Sequence, residues 1–309
     1  MLDRPLLSNY RPAMHPRQLR YFVTIARLRH FANAAQECGV SQPTLSAGLS
    51  ALEREVGHRL IERDRRFVGL TAHGEAMLPW AEQILGAVAG MTSSVAASSA
   101  SITGQFALAA IPAALPLAGQ FGDALLARHP GLGLAVRSAT SREIERALNN
   151  FECDAGLTYL DHETPANVLS VPLHAERYLF VTRADGPLGG LTEIGWEAAS
   201  AQPLCLLHQG MQFRRILDAR MLERGLAITP RAVADSYVTL LDLVRSGGFC
   251  TIVPDTYASL LAGLAWARCA VLDDGDTPRR IGLVVVNRVP LSPMASTALA
   301  VARRLAGVS

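Results

Sequence analysis

The chain contains no lysine: all 29 of its basic residues are arginine, set against 27 acidic ones. It is also poor in cysteine, with five (Cys38, Cys153, Cys205, Cys250 and Cys269), none in a C-x-x-C pair and none with a histidine at ligand spacing. That pattern excludes a zinc ribbon or a disulfide framework and reads as buried free thiols in a reducing compartment, so no metal and no cofactor is expected. No apolar run reaches the length of a membrane span. The longest, Phe106 to Gly119, is interrupted by Pro112 and Pro116 and reads as strand, turn and helix start. The N-terminal stretch MLDRPLLSNYRPA lacks the apolar core of a signal peptide. The expectation is a cytoplasmic protein with no membrane partner, in which residues 1–13 are a disordered arm or a start-site extension ahead of Met14. Also missing are a nucleophile elbow, a phosphate-cradling glycine loop and obvious paired carboxylates, so no catalytic residue is nominated.

What is present divides unevenly. A length of 309 residues favours two or three domains, and with half the residues apolar and 18% charged the chain can bury sizeable cores. Residues 1–75 hold 11 arginines against 7 acidic side chains, an excess of four, which leaves the remainder at minus two. A basic head on a slightly acidic body fits a nucleic-acid-binding module joined to something else.

The head has a readable local pattern. Leu19, Phe22, Val23 and Ile25 recur at helical spacing, and a second short helix runs from Phe31 to Cys38 with the small pair Ala34 and Ala35. Gly39 can close that helix in the left-handed conformation. Ser41 is a good N-cap for a third helix, Pro43 is tolerated in its first turn, and Leu45, Leu49, Leu52 and Val56 form its buried stripe. Two short helices around a glycine turn describe a helix-turn-helix. The second opens with Ser41, Gln42, Pro43, Thr44 and Ser46, small polar residues able to reach base edges and phosphates in a major groove. Residues 60–71 read as a two-stranded wing tipped by Arg65 and Arg66, which would place guanidinium groups on phosphates or in the minor groove. Cys38 reads as core filler. From Ala72 to about Ala97, Met77, Trp80, Ile84, Val88, Met91 and Val95 mark a long helix whose apolar stripe favours pairing with a second copy. The Ser- and Ala-rich stretch 93–104 reads as a hinge.

Together the segments RQLRYFVTIA, FANAAQECGVSQPTLS, LEREVGHRLIER and LTAHGEAMLPWA, in this order and spacing over residues 16–85, resemble the DNA-binding domain of the LysR-type bacterial transcriptional regulators. One departure stands out: the family usually carries Arg or Lys just after the SQPxLS motif, and this chain has Ala47 and Gly48. The resemblance implies a regulator that binds double-stranded promoter DNA as a homodimer or homotetramer, dimerises through its linker helix, and changes its DNA-bound shape when a small effector enters its C-terminal region.

After the hinge, strands and helices alternate, which argues a mostly parallel sheet with helices on both faces. Two such units resemble the lobes of a periplasmic-binding-protein-like effector domain, the chain crossing near Val171–Arg177 and returning near Arg279–Val286. The expected fold class is thus α/β behind a helix-rich winged head and a long linker helix. The expected divisions are a head at 14–71, a linker at 72–100 and an effector region at 101–309, with lobe 1 at about 105–173 and 280–309 and lobe 2 at about 174–279. Ligands in open α/β sheets bind beyond the carboxyl ends of strands, which nominates Pro112, Ala113, Ser138, Thr140, His208, Gln209, Met211, Gln212, Ser236 and Thr251. Hydroxyls and helix N-termini at these loops favour a small anion, a carboxylate or an inorganic oxyanion, as effector. The segments LCLLHQGMQFRRILD and ADSYVTLLDLVRSGGFCTIVP look most like regulators of nitrogen, cyanate, carbon-fixation or formate metabolism. An enzyme fused to a DNA-binding head is the alternative from another class, and a nonspecific architectural DNA protein a third.

Overall fold

Local signals set the helices of the N-terminal unit. In the computed structural model, which describes residues 14–64, 66–97, 102–161, 163–272 and 278–308, helix α1 (Pro16–Leu28) ends at Arg29 in the left-handed conformation, φ 53°. Helix α2 (Phe31–Cys38) starts where the His30 ring accepts from the Asn33 amide at 3.3 Å and stops at Gly39, φ 71°. Helix α3 (Gln42–Val56) starts where the Ser41 hydroxyl accepts from the Thr44 amide at 3.3 Å, has Pro43 in its first turn, and stops at Gly57, φ 79°. A left-handed stop lets the chain reverse at once, so the three helices close on a small core that includes Leu19, Phe22, Ile25, Ala34, Leu45, Leu49 and Leu52. Cys38 packs at its edge.

Strands β1 (Ile61–Asp64) and β2 (Arg66–Leu70) pair antiparallel, with Asp64 opposite Arg66 and a register shift at Glu62/Arg63. This wing is tied to α3 by Glu53, a buried carboxylate that accepts from the Leu60 and Ile61 amides at 3.0 and 3.3 Å. Helix α4 (Ala72–Ala97) begins where the Thr71 hydroxyl donates to the Arg59 carbonyl at 2.6 Å and accepts from the Gly74 amide at 3.0 Å. Its inner face, Met77, Leu78, Ala81 and Leu85, packs on the head core. The expected stripe is therefore split: Met77 faces inward, while Trp80, Ile84, Val88 and Met91 are exposed. A compact unit ends at Val95, and a second runs from Ala96 to Ser309.

The second unit contains two larger sheets. Strands β3 (Gly104–Ala110), β4 (Leu132–Ser138) and β5 (Ala155–Tyr159) alternate with helices α5 (Leu115–Arg128) and α6 (Ser141–Asn149). Then come β6 (Val168–Glu176), β7 (Tyr178–Arg183), β8 (Glu193–Ile194), α7 (Trp196–Ser200), β9 (Cys205–Leu207), α8 (Gln212–Glu223), β10 (Ala232–Ala234), α9 (Tyr237–Ser246) and β11 (Thr251–Pro254). Helix α10 (Ala258–Leu261), strands β12 (Ala267–Leu272) and β13 (Arg279–Val286) and helix α11 (Pro293–Leu305) complete it.

The first sheet has the order β4-β3-β5-β13-β6, parallel among β4, β3 and β5 but antiparallel where β13 meets β5 and β6. The second, β11-β7-β12-β8, is antiparallel except at β12–β8, and β9 and β10 form a separate parallel pair. The expected mostly parallel sheet thus holds for one half of the first lobe only. The reason is the crossing: β6 and β13 are the two chain segments that run between the lobes, and they pair antiparallel along their length. Strand β6 has a weak sequence pattern because Pro172 sits in it. An edge strand tolerates proline, and the register slips beside it, between Ile281 and Gly282. Gly282 is required there, since a Cβ would lie 2.3 Å from the Val171 carbonyl oxygen.

Candidate functional sites

Each unit gathers one set of nominated residues. In the head, Ser41, Gln42, Pro43 and Thr44 are exposed at the start of α3, and Ser46 is half-buried on the next turn. The Ser41 and Thr44 hydroxyls share a hydrogen bond of 2.8 Å, which holds both at the helix tip. Arg65 and the Arg66 side chain lie outside the described residues; the backbone of Asp64 pairs with that of Arg66. Arg27, at the end of α1, is paired with Glu37 of α2.

In the second unit, Pro112, Ala113, Thr140, Met211 and Gln212 line one cavity of about 10 Å3, room for a single water-sized group. Four residues not nominated complete it: Ile111, Ser141, Leu207 and Phe213. The Ser141 hydroxyl donates to the Gln212 side-chain carbonyl across it, joining α6 to α8. Nearby the lobes are held by further direct bonds. The Thr256 hydroxyl donates to the Ala113 carbonyl at 2.7 Å, the Tyr257 hydroxyl to the Pro112 carbonyl at 2.8 Å, and Arg215 pairs with Glu163 at 2.7 Å.

The other nominated positions do not line this cavity, each for a local reason. Ser138 ends the edge strand β4 with an exposed side chain. His208 folds back to accept from the Gly210 amide at 3.0 Å, and Gln209 is exposed on the same turn, its carbonyl accepting from Arg215. Ser236 is the N-cap of α9, its hydroxyl accepting from the Val238 amide at 3.2 Å. Thr251 is fully buried inside β11, beside the Cys205 thiol. Thr140 lines the cavity, yet its hydroxyl is committed to a capping box: it accepts from the Glu143 amide, and Glu143 accepts from the Thr140 amide at 2.7 Å. These bonds hold the Glu143 carboxyl below its usual range and leave a negative charge at the start of α6. Helix α8 has no such cap, since Met211 precedes it. Arg214 is buried and structural, donating to the Leu207 carbonyl at 2.8 Å and pairing with Asp218 at 2.7 Å.

Two other features of this unit bear on chemistry. Glu176, at the crossing from β6 to β7, is wholly buried and accepts a bifurcated bond from the Tyr159 hydroxyl at 2.9 and 3.0 Å. Burial pushes its carboxyl well above the ordinary range, against the Tyr159 bond. The cysteines are also shifted: burial pushes Cys153 up to about 12 and Cys205 up to about 11, and raises Cys250 and Cys269 as well. Cys205 and Cys250 lie on neighbouring segments, the Cys205 amide donating to the Cys250 carbonyl at 2.8 Å. Their side chains turn to different partners, Cys205 towards Thr251 and the Leu240 carbonyl and Cys250 towards Thr182. Among the described residues no group of three or more His, Cys, Asp or Glu side chains is placed to hold a metal ion, and no helix is long and apolar enough to cross a membrane.

A winged helix-turn-helix followed by a two-sheet unit that encloses a cavity is the architecture of a ligand-responsive DNA-binding regulator. Residues 16–75 match the family described as "Bacterial regulatory helix-turn-helix protein, lysR family", and residues 99–307 match the "LysR substrate binding domain". The chain belongs to the LysR family of DNA-binding transcriptional regulators. It is 32% identical over 273 residues to a probable hydrogen peroxide-inducible genes activator of Mycobacterium avium, covering 86% of each chain. To the DNA-binding transcriptional dual regulator OxyR of Escherichia coli (strain K12) it is 28% identical over 242 residues, 78% of this chain and 79% of that one. A full-length OxyR variant from Pseudomonas aeruginosa shares its fold with a TM-score of 0.76 at 25% identity, covering 94% of this chain and 95% of that one. Full-length CbnR complexed with its target DNA shares the fold with a TM-score of 0.68 at 22% identity, over 94% and 100% of the two chains. The two curated relatives bear the names of peroxide-inducible activators and OxyR, whereas the expectation from the two C-terminal segments is a regulator of nitrogen, cyanate, carbon-fixation or formate metabolism.

Proposed function

We propose that this regulator lays α3 in the major groove of promoter DNA, with Ser41, Gln42, Pro43, Thr44 and Ser46 against base edges and phosphates and Arg65 and Arg66 on the backbone beside it. The head spans 14–71, the linker 72–100 and the effector domain 101–309. Two copies pair along α4, where exposed Trp80, Ile84, Val88 and Met91 otherwise leave an apolar stripe in water. A protein that works on promoter DNA acts in the cytoplasm.

The effector is a small polar molecule, a carboxylate or inorganic oxyanion, that enters between α6 and α8 and takes over the bond between Ser141 and Gln212. The observation that carries this reading is that bond itself: a hydroxyl and an amide, both buried, meeting across a cavity otherwise walled mainly by apolar side chains. An anion there meets the uncapped end of α8, and from α6 it meets the Ser141 hydroxyl, the Thr140 and Glu143 capping box already occupying the start of that helix.

The relatives' names suggest hydrogen peroxide as a second reading. A peroxide sensor acting through a thiol needs a thiolate. With Cys153 pushed to about 12 and Cys205 to about 11, these thiols stay protonated at neutral pH, and none lines the cavity. Peroxide as a reversibly bound small molecule remains compatible with so small a cavity. The test is calorimetric titration of the full chain with formate, acetate and sulfate, with the neutral amides formamide and acetamide, and with hydrogen peroxide. Binding of an acid, abolished by Gln212→Ala and weakened by Ser141→Ala, supports the anion. Tighter binding of an amide, indifferent to both substitutions, overturns it. A DNA-binding change on peroxide treatment that disappears on cysteine substitution would replace both readings with thiol chemistry.

A further inference from the structure

The recognition helix has no charge of its own where DNA would need one. From Gln42 to Ala51 α3 reads QPTLSAGLSA, and its first cation is Arg54. Affinity for duplex DNA comes largely from neutralising phosphates, so cations have to reach the backbone from neighbouring elements. One groove of the head is built to supply such a cation. It has a volume of about 500 Å3 and runs between the start of α1 and the first half of α3, with Arg17, Gln18 and Tyr21 on one wall and Thr44 and Gly48 on the other.

Its construction is specific. Gly48 has no side chain, and the Tyr21 ring fills the space: a Cβ at residue 48 would lie 2.5 Å from a ring carbon. Tyr21 is buried, and its hydroxyl accepts from Nε of Arg17 at 2.5 Å. The guanidinium carbon also stands 5.6 Å from the ring centroid. With Nε fixed, the two terminal nitrogens of Arg17 have no acceptor among the described residues, and the side chain is exposed with no carboxylate partner among them. Arg27 on the same helix, by contrast, is paired with Glu37. The groove is continuous with the tip of α3 through Thr44, whose hydroxyl is held by Ser41.

We infer that this groove is a subsite for a DNA backbone phosphate, with Arg17 as its cation and Tyr21 as the residue that positions it. A planar guanidinium whose two outer nitrogens are free matches a phosphate in bidentate fashion. Anchored on α1, off the end of α3, it grips the backbone at a fixed distance from the base-reading residues and carries no sequence information. Gly48 keeps the recognition helix close enough to Tyr21 for one phosphate to touch Arg17 and the Thr44 hydroxyl together. This inference rests on the proposed placing of α3 in the major groove, and the experiment separates the two.

Full-length protein is titrated by fluorescence anisotropy against an operator duplex selected from a random pool and against a scrambled duplex of the same length, over a salt series. Arg17→Ala is expected to weaken binding to both duplexes roughly tenfold at low salt and to make the slope of log K against log salt shallower by about one. Arg17→Lys should restore the slope and only part of the affinity. Tyr21→Phe, which keeps the ring and removes the hydroxyl, should weaken both duplexes about threefold through misplacement of the guanidinium. A folded Arg17→Ala protein with unchanged affinity and slope overturns the inference. So does a loss confined to the operator with the slope intact, which would mean a base contact. If Arg17→Ala does not fold, Tyr21→Phe and Arg17→Lys decide, and wild-type affinity in both overturns the subsite. Gln42→Ala with undiminished operator binding would instead refute the placing of α3 and leave the Arg17 result to be read by itself.

Discussion

In the head, Ser41, Gln42, Pro43 and Thr44 are exposed at the tip of one helix, steadied by the Ser41 cap and the short bond between the Ser41 and Thr44 hydroxyls. In the effector unit, Ser141 and Gln212 are buried and already bonded to each other, and Thr140 is bonded to Glu143. DNA laid against α3 as proposed would meet a finished surface. An effector entering between α6 and α8 as proposed would displace bonds that the protein makes with itself. On that reading DNA is gripped without a rearrangement of the head, whereas effector binding requires one of the effector unit.

The bluntest way to break that comparison is to remove the head's core. Leu45 is fully buried, and Leu45→Ala is expected to cost roughly 2–5 kcal/mol. DNA binding should vanish while effector binding by calorimetry persists, because the two units have separate cores. Loss of both activities would mean that the units fold as one.

Next in size, Gln42→Ala should cost roughly 1–3 kcal/mol at particular base pairs and relax preference there, whereas Arg66→Ala should weaken all duplexes evenly and flatten the salt slope. A panel of single-base operator variants reads both. Identical profiles would refute the division between base reading and backbone grip.

On the effector side, Tyr257→Phe removes the hydroxyl that donates to the Pro112 carbonyl, a bond worth about 0.5–1.5 kcal/mol. Since that residue does not line the cavity, the expected result is a tighter apparent effector affinity, up to about tenfold. Unchanged or weakened affinity would show that the inter-lobe bonds do not oppose entry.

The smallest effect at acidic pH, growing as pH rises, belongs to Glu176→Gln. The buried carboxyl titrates well above its value of 4.5 in the unfolded chain, so above that pH the unfolded state releases a proton that the folded state retains. Stability is lost as pH rises towards the folded value. The groups that act on this carboxyl are Tyr159, Tyr237, Asp161, Asp255 and Arg279; of these, Tyr159 bonds it directly. The glutamine keeps an acceptor for Tyr159 and removes the titration. Its melting temperature should match the parent near pH 5 and exceed it increasingly towards pH 8. A constant difference would place the pH dependence elsewhere.

The sequence was legible where structure is local. The cap Ser41, the left-handed stop at Gly39 and the stripe Leu45, Leu49 and Leu52 each act within a few residues of themselves. Five of the ten nominated effector residues meet at the cavity because strand ends do point their loops at it. The remaining walls were hidden for different reasons. Ser141 follows a strong N-cap and looks like an ordinary first-turn residue. Leu207 ends its strand, Ile111 directly follows one, and Phe213 reads as core. Which of these meet depends on how two lobes close, and no local pattern encodes that. Strand β6 was obscured by Pro172, whose place at an edge is fixed only by its partner β13.

The bonds that hold the lobes shut also set a threshold. If the unliganded protein spends only a fraction of its time open, its apparent dissociation constant is the intrinsic one divided by that fraction. On the proposed effector reading, Thr256, Tyr257 and the Arg215–Glu163 pair would then govern the dose at which a promoter responds, without touching the molecule being sensed. Descendants of this chain can retune their sensitivity through those positions, leaving the chemistry of the cavity and the reading of DNA unaltered.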